Sequence, residues 1–386
     1  MPVPLLDVNA QNHPLEAELT AAFARVLRTG RFILGEEVEA FEAECAAFIG
    51  ARHAVSMSSG TDALLAAFMA LGIGPGDEVL CPAFTFFATA GCIARTGATP
   101  VFCDVCPVSF NIDVASAMAR VTARTKAIVP VHLFGQAADM DAIRAFAAER
   151  DLRIIEDVAQ SIGATYQGSG CGTLGELGCF SFFPSKNLGG FGDGGLVTTD
   201  DADLAETLRR IRNHGMHPRY YHATVGANFR MDALQCALLR VKLRHLGEYT
   251  SGREANARYY LDRISVLPGI MHAGGADGGP TARIVLPQAG ADAGHVWNQF
   301  TLRIPGAGRR DALKNHLTAR GIGCEIYYPV ALHQQECFQQ LPAHAIQACP
   351  VSESLTGEVL SIPVYPELSA GQRDEVVAAI AEWLIS

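Results

Sequence analysis

The chain has 386 residues, 49% of them hydrophobic and 18% charged, and a formal net charge of −10. That length suits two domains, and an acidic balance without a basic tail or a lysine/arginine run argues against nucleic-acid binding and gives no reason to expect a membrane-surface partner. Eleven cysteines scattered through apolar segments read as reduced, mostly buried thiols, as in a cytoplasmic protein.

The opening stretch, "MPVPLLDVNAQNHPLE", lacks a basic n-region and a long apolar run, so it does not read as a signal peptide. In "SSGTDALLAAFMALG" (58–72) a hydroxyl- and glycine-rich turn precedes a helical pattern. Two readings stand: a helix cap in which Asp62 or Thr61 satisfies free N–H groups, or an anion site at the helix N-terminus. From about 75 to 200 short strands alternate with helical stretches: "DEVLCP", "TPVFCDV", "KAIVPVHLFG", "LRIIEDVA", "GCFSFF" and "GGLVTTD". This predicts an α/β fold with a mostly parallel sheet flanked by helices, and ligands beyond the carboxyl ends of its strands. The apolar run "FTFFATAGCIA" within this region falls short of the ~18 residues of a membrane span. "CDVC", Cys103 to Cys106, has no second pair and no histidine cluster, so no metal site is expected.

"LRIIEDVAQ" ends a strand in Glu156-Asp157. Adjacent strand residues face opposite sides, so only one of these acids can face a site. "FSFFPSKNLGGFGDGG" (180–195) then stops an aromatic strand at Lys186, one of only four lysines among 30 basic residues. Lys186 is either a snorkelling surface residue or an amine in a desolvated pocket, available as a nucleophile. Ser181 and Ser185 offer donors to an anion, and the glycines permit close approach. The spacing is not that of a nucleotide-binding P-loop. "DALQCALLRVKLRHLGEY" (232–249) reads as a strong amphipathic helix. A passage near residue 250 divides a large domain, 1–250, from a smaller α+β domain, 251–386. The smaller domain is predicted to hold a Gly/Ala/Pro-rich patch at 268–294, strands near 296–303 and 322–328, and helices near 309–320 and 369–384.

A phosphate cradle, a strand-end carboxylate, a lysine and an aromatic ring together are what pyridoxal phosphate requires. The order "SSGTDAL … TFFAT … EDVAQ … SFFPSKNLGGFGDGG … GANFRMDALQCALL" resembles the DegT/DnrJ/EryC1/StrS aminotransferases, from "LLDVNAQ" to "LSIPVYPELS". The resemblance implies a fold-type I enzyme that aminates nucleotide-linked keto-sugars with L-glutamate as donor. It makes Lys186 the Schiff-base lysine, Asp157 the partner of the pyridine nitrogen, Gln160 the neighbour of the phenolic oxygen and Phe86 the stacking ring. Ser59, Gly60, Thr61 and Ser181 match the phosphate set. Asn228 resembles an asparagine that reaches the phosphate from the other subunit, implying a homodimer with shared sites. Arg230, Tyr328 and His333 are candidate substrate contacts. Dehydratases of the same fold carry histidine at the Lys186 position, so the lysine favours transamination. "Gly-Asp-Gly-Gly" after it is more usual in enzymes acting at C-3 of the sugar than at C-4. Cyclitol amination and a non-catalytic regulatory role are the alternatives.

Overall fold

The computed structural model describes residues 2–273 and 283–385. Two helices, α1 (Glu16–Thr29) and α2 (Glu36–Ile49), precede the first sheet. The sheet has seven strands: β1 (His53–Met57), β2 (Glu78–Pro82), β3 (Thr99–Cys103), β4 (Thr125–Ile128), β5 (Arg153–Asp157), β6 (Leu177–Ser181) and β7 (Gly195–Thr199). Their order is β1-β7-β6-β5-β4-β2-β3. Neighbours run parallel from β3 to β6, while β7 is antiparallel to both β6 and β1.

Strand alternation sorts the core into two layers. Val55, Val79, Ile155 and Val197 face the side packed by α3 (Gly60–Ala70), α4 (Ala88–Arg95) and α6 (Ala202–Arg212). Leu80, Ile128, Ile154 and Leu196 face the other side, covered by α2, α5 (Met140–Arg150) and α7 (Ala233–Leu243). Beyond α8 (Leu246–Ile264), strands β8 (Ile270–His272), β9 (Ile284–Leu286), β10 (Phe300–Arg303) and β11 (Val359–Ile362) form a four-stranded sheet. Helices α9 (Arg309–Ala319) and α10 (Ala370–Ile385) pack with it around a separate core.

Several expectations shift. The helix expected over 232–249 is broken at Arg244–His245, and residue 250 lies inside α8. Helix α7 is not strongly amphipathic: Ala233, Cys236, Ala237, Leu239, Val241, Lys242 and Leu243 are all buried, because α1 and α2 both pack on it. Residues 296–299 are not strand; Val296 and Gln299 instead donate backbone bonds across to Gly135 and Phe134 of the large lobe. The strand expected at 322–328 is reduced to two isolated bridges, Val3 to Ile322 and Glu325 to Ser361. The chain then leaves the small sheet so that Tyr328 meets the large lobe. The patch at 268–294 contributes β8 and β9, and 274–282 lie outside the described residues.

At the end of β5 the two acids separate as alternation requires. Glu156 is fully buried and accepts from the backbone N–H groups of Gly172 (2.8 Å), Leu174 (2.7 Å) and Gly175 (2.8 Å). His132 Nε2 lies 2.8 Å from the same carboxylate, and Ala138 N–H donates to its Nδ1, which places the ring proton on Nε2. Truncating Glu156 would orphan three buried backbone donors. Glu156→Ala is therefore expected to cost about 3–5 kcal/mol of unfolding free energy, read from the urea midpoint.

Candidate active site

The site lies where β5, β6 and the N-terminus of α3 converge. Asp157, at the carboxyl end of β5, is 5% exposed. Its Oδ2 accepts from Thr89 Oγ1 at 2.8 Å and its Oδ1 from the Ala159 N–H at 3.1 Å. Burial raises its pKa, opposed by these two bonds and by the positive charge of Lys186. Thr89 belongs to α4, is itself buried and lies 3.4 Å from Thr85 Oγ1. Sequence reading passed over Thr89. The only available signal was its place one turn after Thr85 in "TFFAT", and only the packing of α4 on the sheet brings it to Asp157.

Lys186 follows the exit of β6. As a residue it is only partly buried, but burial lowers the pKa of its amine to about 8, with Asp157 opposing. The turn that presents it is tied by Lys186 N–H to Phe183 O (2.8 Å) and Gly190 N–H to Phe182 O (2.7 Å). A Cβ on Gly189 would sit 2.2 Å from Pro184 O, so no larger residue fits there. A second lysine braces this turn. Lys242, fully buried on α7, donates to Gly189 O at 2.6 Å and lies 5.5 Å from the centroid of the Phe191 ring. Burial also lowers its pKa to about 8, opposed by Glu367. Scarcity of lysine thus points at two residues, and only the structure separates the braced amine from the one beside Asp157.

The "SSGTD" turn is a helix cap. Ser59, rather than Asp62 or Thr61, caps α3: its Oγ accepts from the Asp62 N–H at 3.0 Å. The Asp62 carboxylate in turn accepts from Ser58 Oγ (2.6 Å) and Ser59 Oγ (3.0 Å). The N–H groups of Gly60 and Thr61, in the first turn, have no intrahelical acceptor and suit an anion. A Cβ on Gly60 would meet Ser181 Cβ at 2.7 Å, and one on Gly195 would meet Ser59 O at 2.3 Å. These approaches bring the Ser181 hydroxyl to the helix end.

Gln160 is held at both ends. Its Oε1 accepts from Phe134 N–H at 2.7 Å, and its Nε2 donates to Tyr328 Oη at 3.1 Å. Phe86 is 58% exposed and its ring centroid lies 6.2 Å from that of Tyr328, which leaves a face free to stack on a ligand ring. Phe229 O, next to the exposed Asn228, accepts from Ser58 N–H at 2.8 Å. Arg230 Nη1 donates to Asn213 Oδ1 at 2.7 Å. His333 is buried, with Nε2 2.9 Å from Glu353, and no described contact joins it to Lys186 or Asp157. Among the described residues, no group of three or more His, Cys, Asp or Glu converges as a metal site would need.

These residues fit pyridoxal phosphate. A desolvated carboxylate suits a cationic ring nitrogen, a lysine of lowered pKa suits an aldehyde, a glycine-lined helix end with Ser181 suits a phosphate, and an exposed aromatic face suits a planar ring.

Comparison with known proteins agrees over nearly the whole chain. The model of the DegT/DnrJ/EryC1/StrS aminotransferase family matches residues 14–381. The chain is 46% identical over 380 residues to UDP-N-acetyl-3-dehydro-alpha-D-glucosamine 3-aminotransferase of Acidithiobacillus ferrooxidans, covering 98% of this chain and 96% of that one. It is 45% identical over 383 residues to a "pleiotropic regulatory protein" of Geobacillus stearothermophilus, covering 99% of both. The crystal structure of DesV from S. venezuelae superposes with a TM-score of 0.91 at 43% identity, covering 99% of this chain and 98% of that one. NtdA of Bacillus subtilis, solved with bound cofactor PMP, superposes with a TM-score of 0.88 at 30% identity, covering 100% of this chain and 86% of that one. The chain belongs to the DegT/DnrJ/EryC1/StrS aminotransferase family.

Proposed function

We propose that this aminotransferase uses pyridoxal phosphate to move the amino group of L-glutamate onto a nucleotide-linked 3-keto sugar. The observation that carries the reading is the coupling of buried Asp157 with the desolvated amine of Lys186, a carboxylate and an amine whose proton affinities burial shifts in opposite directions. The sugar position is supported by the Acidithiobacillus relative and by the dTDP-3-amino-3,4,6-trideoxy-alpha-D-glucose transaminase of Streptomyces venezuelae, 44% identical over 386 residues. The Geobacillus relative's name favours a regulatory reading, against which stands the retained Lys186 and Asp157 pair.

When bound, the cofactor supplies an electron sink and a carrier for the amino group. Ser59, Gly60, Thr61 and Ser181 hold its phosphate, and Asn228 of a second copy completes the set. Phe86 covers one face of the ring, and Gln160 reaches the phenolic oxygen. Asp157 keeps a proton on the ring nitrogen, and Thr89 keeps Asp157 ionised by donating to it. Lys186 would hold the cofactor at its aldehyde, and its neutral amine would be the base that takes the proton from the donor α-carbon and, once protonated, the acid that supplies one to the sugar carbon. Phe86, Phe87, Phe183 and Phe191, all more than 40% exposed next to site residues, support a second copy covering this face.

Four outcomes are expected. With UDP-, dTDP- and GDP-linked 3-keto sugars and glutamate, at least one should yield amino-sugar and 2-oxoglutarate; no turnover with any of them would remove the enzyme reading. Borohydride should fix the cofactor to Lys186, and the rate of attachment to cofactor-free protein should rise with pH and level off above about 8, because only the neutral amine reacts; an ordinary lysine would level off near 10.4. Thr89→Val should lower kcat about tenfold with both KM values held, while Thr89→Ser retains most activity, since a hydrogen bond to a charged group contributes about 1.5–3 kcal/mol. Finally, Lys186→Ala and Asn228→Ala proteins, each impaired alone, should recover up to about a quarter of wild-type activity when refolded together if each site draws on both chains; no recovery would place Asn228 in the site of its own chain.

A further inference from the structure

A cavity of about 50 Å³ lies where the Lys186 turn, α8 and the small sheet meet. Its polar wall comprises Ser185, Arg253, Asn298, Gln299, Tyr327 and Ser361. At about 10–15 Å³ for each water, it has room for a small polar group with one or two waters beside it.

Two of these residues are chain neighbours of groups already placed at the reacting end. Ser185 precedes Lys186, and Tyr327 precedes Tyr328. A third is tied to the residue after the lysine: Asn298 Nδ2 donates to Asn187 Oδ1 at 2.8 Å, and Asn187 Nδ2 donates to Val296 O at 3.0 Å.

Among the described residues, three buried polar atoms of the wall have no partner. Arg253 is 3% exposed; its Nη1 donates to the carbonyls of Trp297 and Asn298, each at 3.2 Å, and its Nε has no partner. Asn298 Oδ1 and Gln299 Oε1 are also buried without partners. The charges do not balance. Lys242 and Arg253 are buried cations, Glu367 is the acid that acts on both, and its Oε2 is itself unpaired. No carboxylate of the described residues forms an ion pair with Arg253. Burying a guanidinium with no carboxylate in contact, and only one more distant acid shared with Lys242, costs several kcal/mol, so the site suits an anion brought from outside.

We infer that this cavity receives a carboxylate of the amino donor, with Arg253 as its cation and Ser185 at its mouth. The inference rests on the transaminase reading for the donor's identity. Guanidinium is suited to the task, since its planar donors match a carboxylate and it stays charged where a buried lysine would lose its proton. Waters entering with the carboxylate supply donors to Asn298 Oδ1 and Gln299 Oε1.

The test uses cofactor-loaded protein and glutarate, an unreactive dicarboxylate, with binding measured by calorimetry alongside half-reaction kinetics. Arg253→Met and Ser185→Asp should each weaken glutarate binding and raise the KM for glutamate about tenfold to hundredfold, with the KM for the amino-sugar half-reaction unchanged. Arg253→Lys should recover part of the loss. Ser185 is exposed, so Ser185→Asp tests the site even if Arg253→Met fails to fold. Glutarate that fails to bind the wild type, or affinities within about twofold of wild type in the folded variants, would overturn the inference. Failure of the transaminase reading shows separately, as no 2-oxoglutarate released by the wild type while glutarate binding still depends on Arg253.

Discussion

Alternation at the end of β5 is the constraint on which the site depends. Two consecutive carboxylates cannot share a face of a strand, so Glu156 and Asp157 are committed to opposite layers. Glu156 is spent on structure, where three backbone N–H groups and His132 surround it and tie the 172–175 turn to the sheet. Among the described residues the Asp157 carboxylate receives only Thr89 and the Ala159 N–H, which leaves a desolvated carboxylate facing the ligand side. Exchanging the two roles would require shifting the register of β5 by one residue, which would also turn Ile154 and Ile155 to the wrong layers.

Around that carboxylate, close backbone approach does as much as side-chain chemistry. Gly60 and Gly195 let the start of α3 rest on Ser181 and on the first residue of β7. A helix end is thereby delivered to the rim of the sheet, where its free N–H groups favour an anion. Gly189 allows the lysine turn to fold against Pro184, and Lys242 clamps the same glycine from below. Burial lowers the amine pKa of both lysines, but they differ in use. Lys242 donates to the Gly189 carbonyl and has Glu367 as its electrostatic partner, whereas Lys186 has Asp157.

The two lobes meet at this site through few groups. Tyr328 comes from the small-lobe side and holds Gln160, while Val296, Asn298 and Gln299 bond to the lysine turn and to the 134–135 loop. Those cross-lobe bonds explain why residues 296–299 are not strand. The backbone donors of Val296 and Gln299 are committed to the large lobe and are unavailable to a ladder in the small sheet.

By itself the sequence determined the mostly parallel sheet layout from about 75 to 200, the strand-end position of Asp157, the turn that carries Lys186 and the family to which these motifs belong. These rest on local pattern: two-residue periodicity, glycine placement and residue chemistry are written in neighbouring positions. What only the tertiary structure decided is which groups meet. Thr89 finds Asp157 across 68 positions of chain, Lys242 reaches Gly189 across 53, and Gln160 reaches Tyr328 across 168. None of these pairs leaves a periodic trace in one sequence, because each partner is chosen by packing of helices on the sheet and of one lobe on the other. The same holds for the choice between Lys186 and Lys242, alike in residue type and in the direction of their pKa shifts, which the fold separates by what each amine faces.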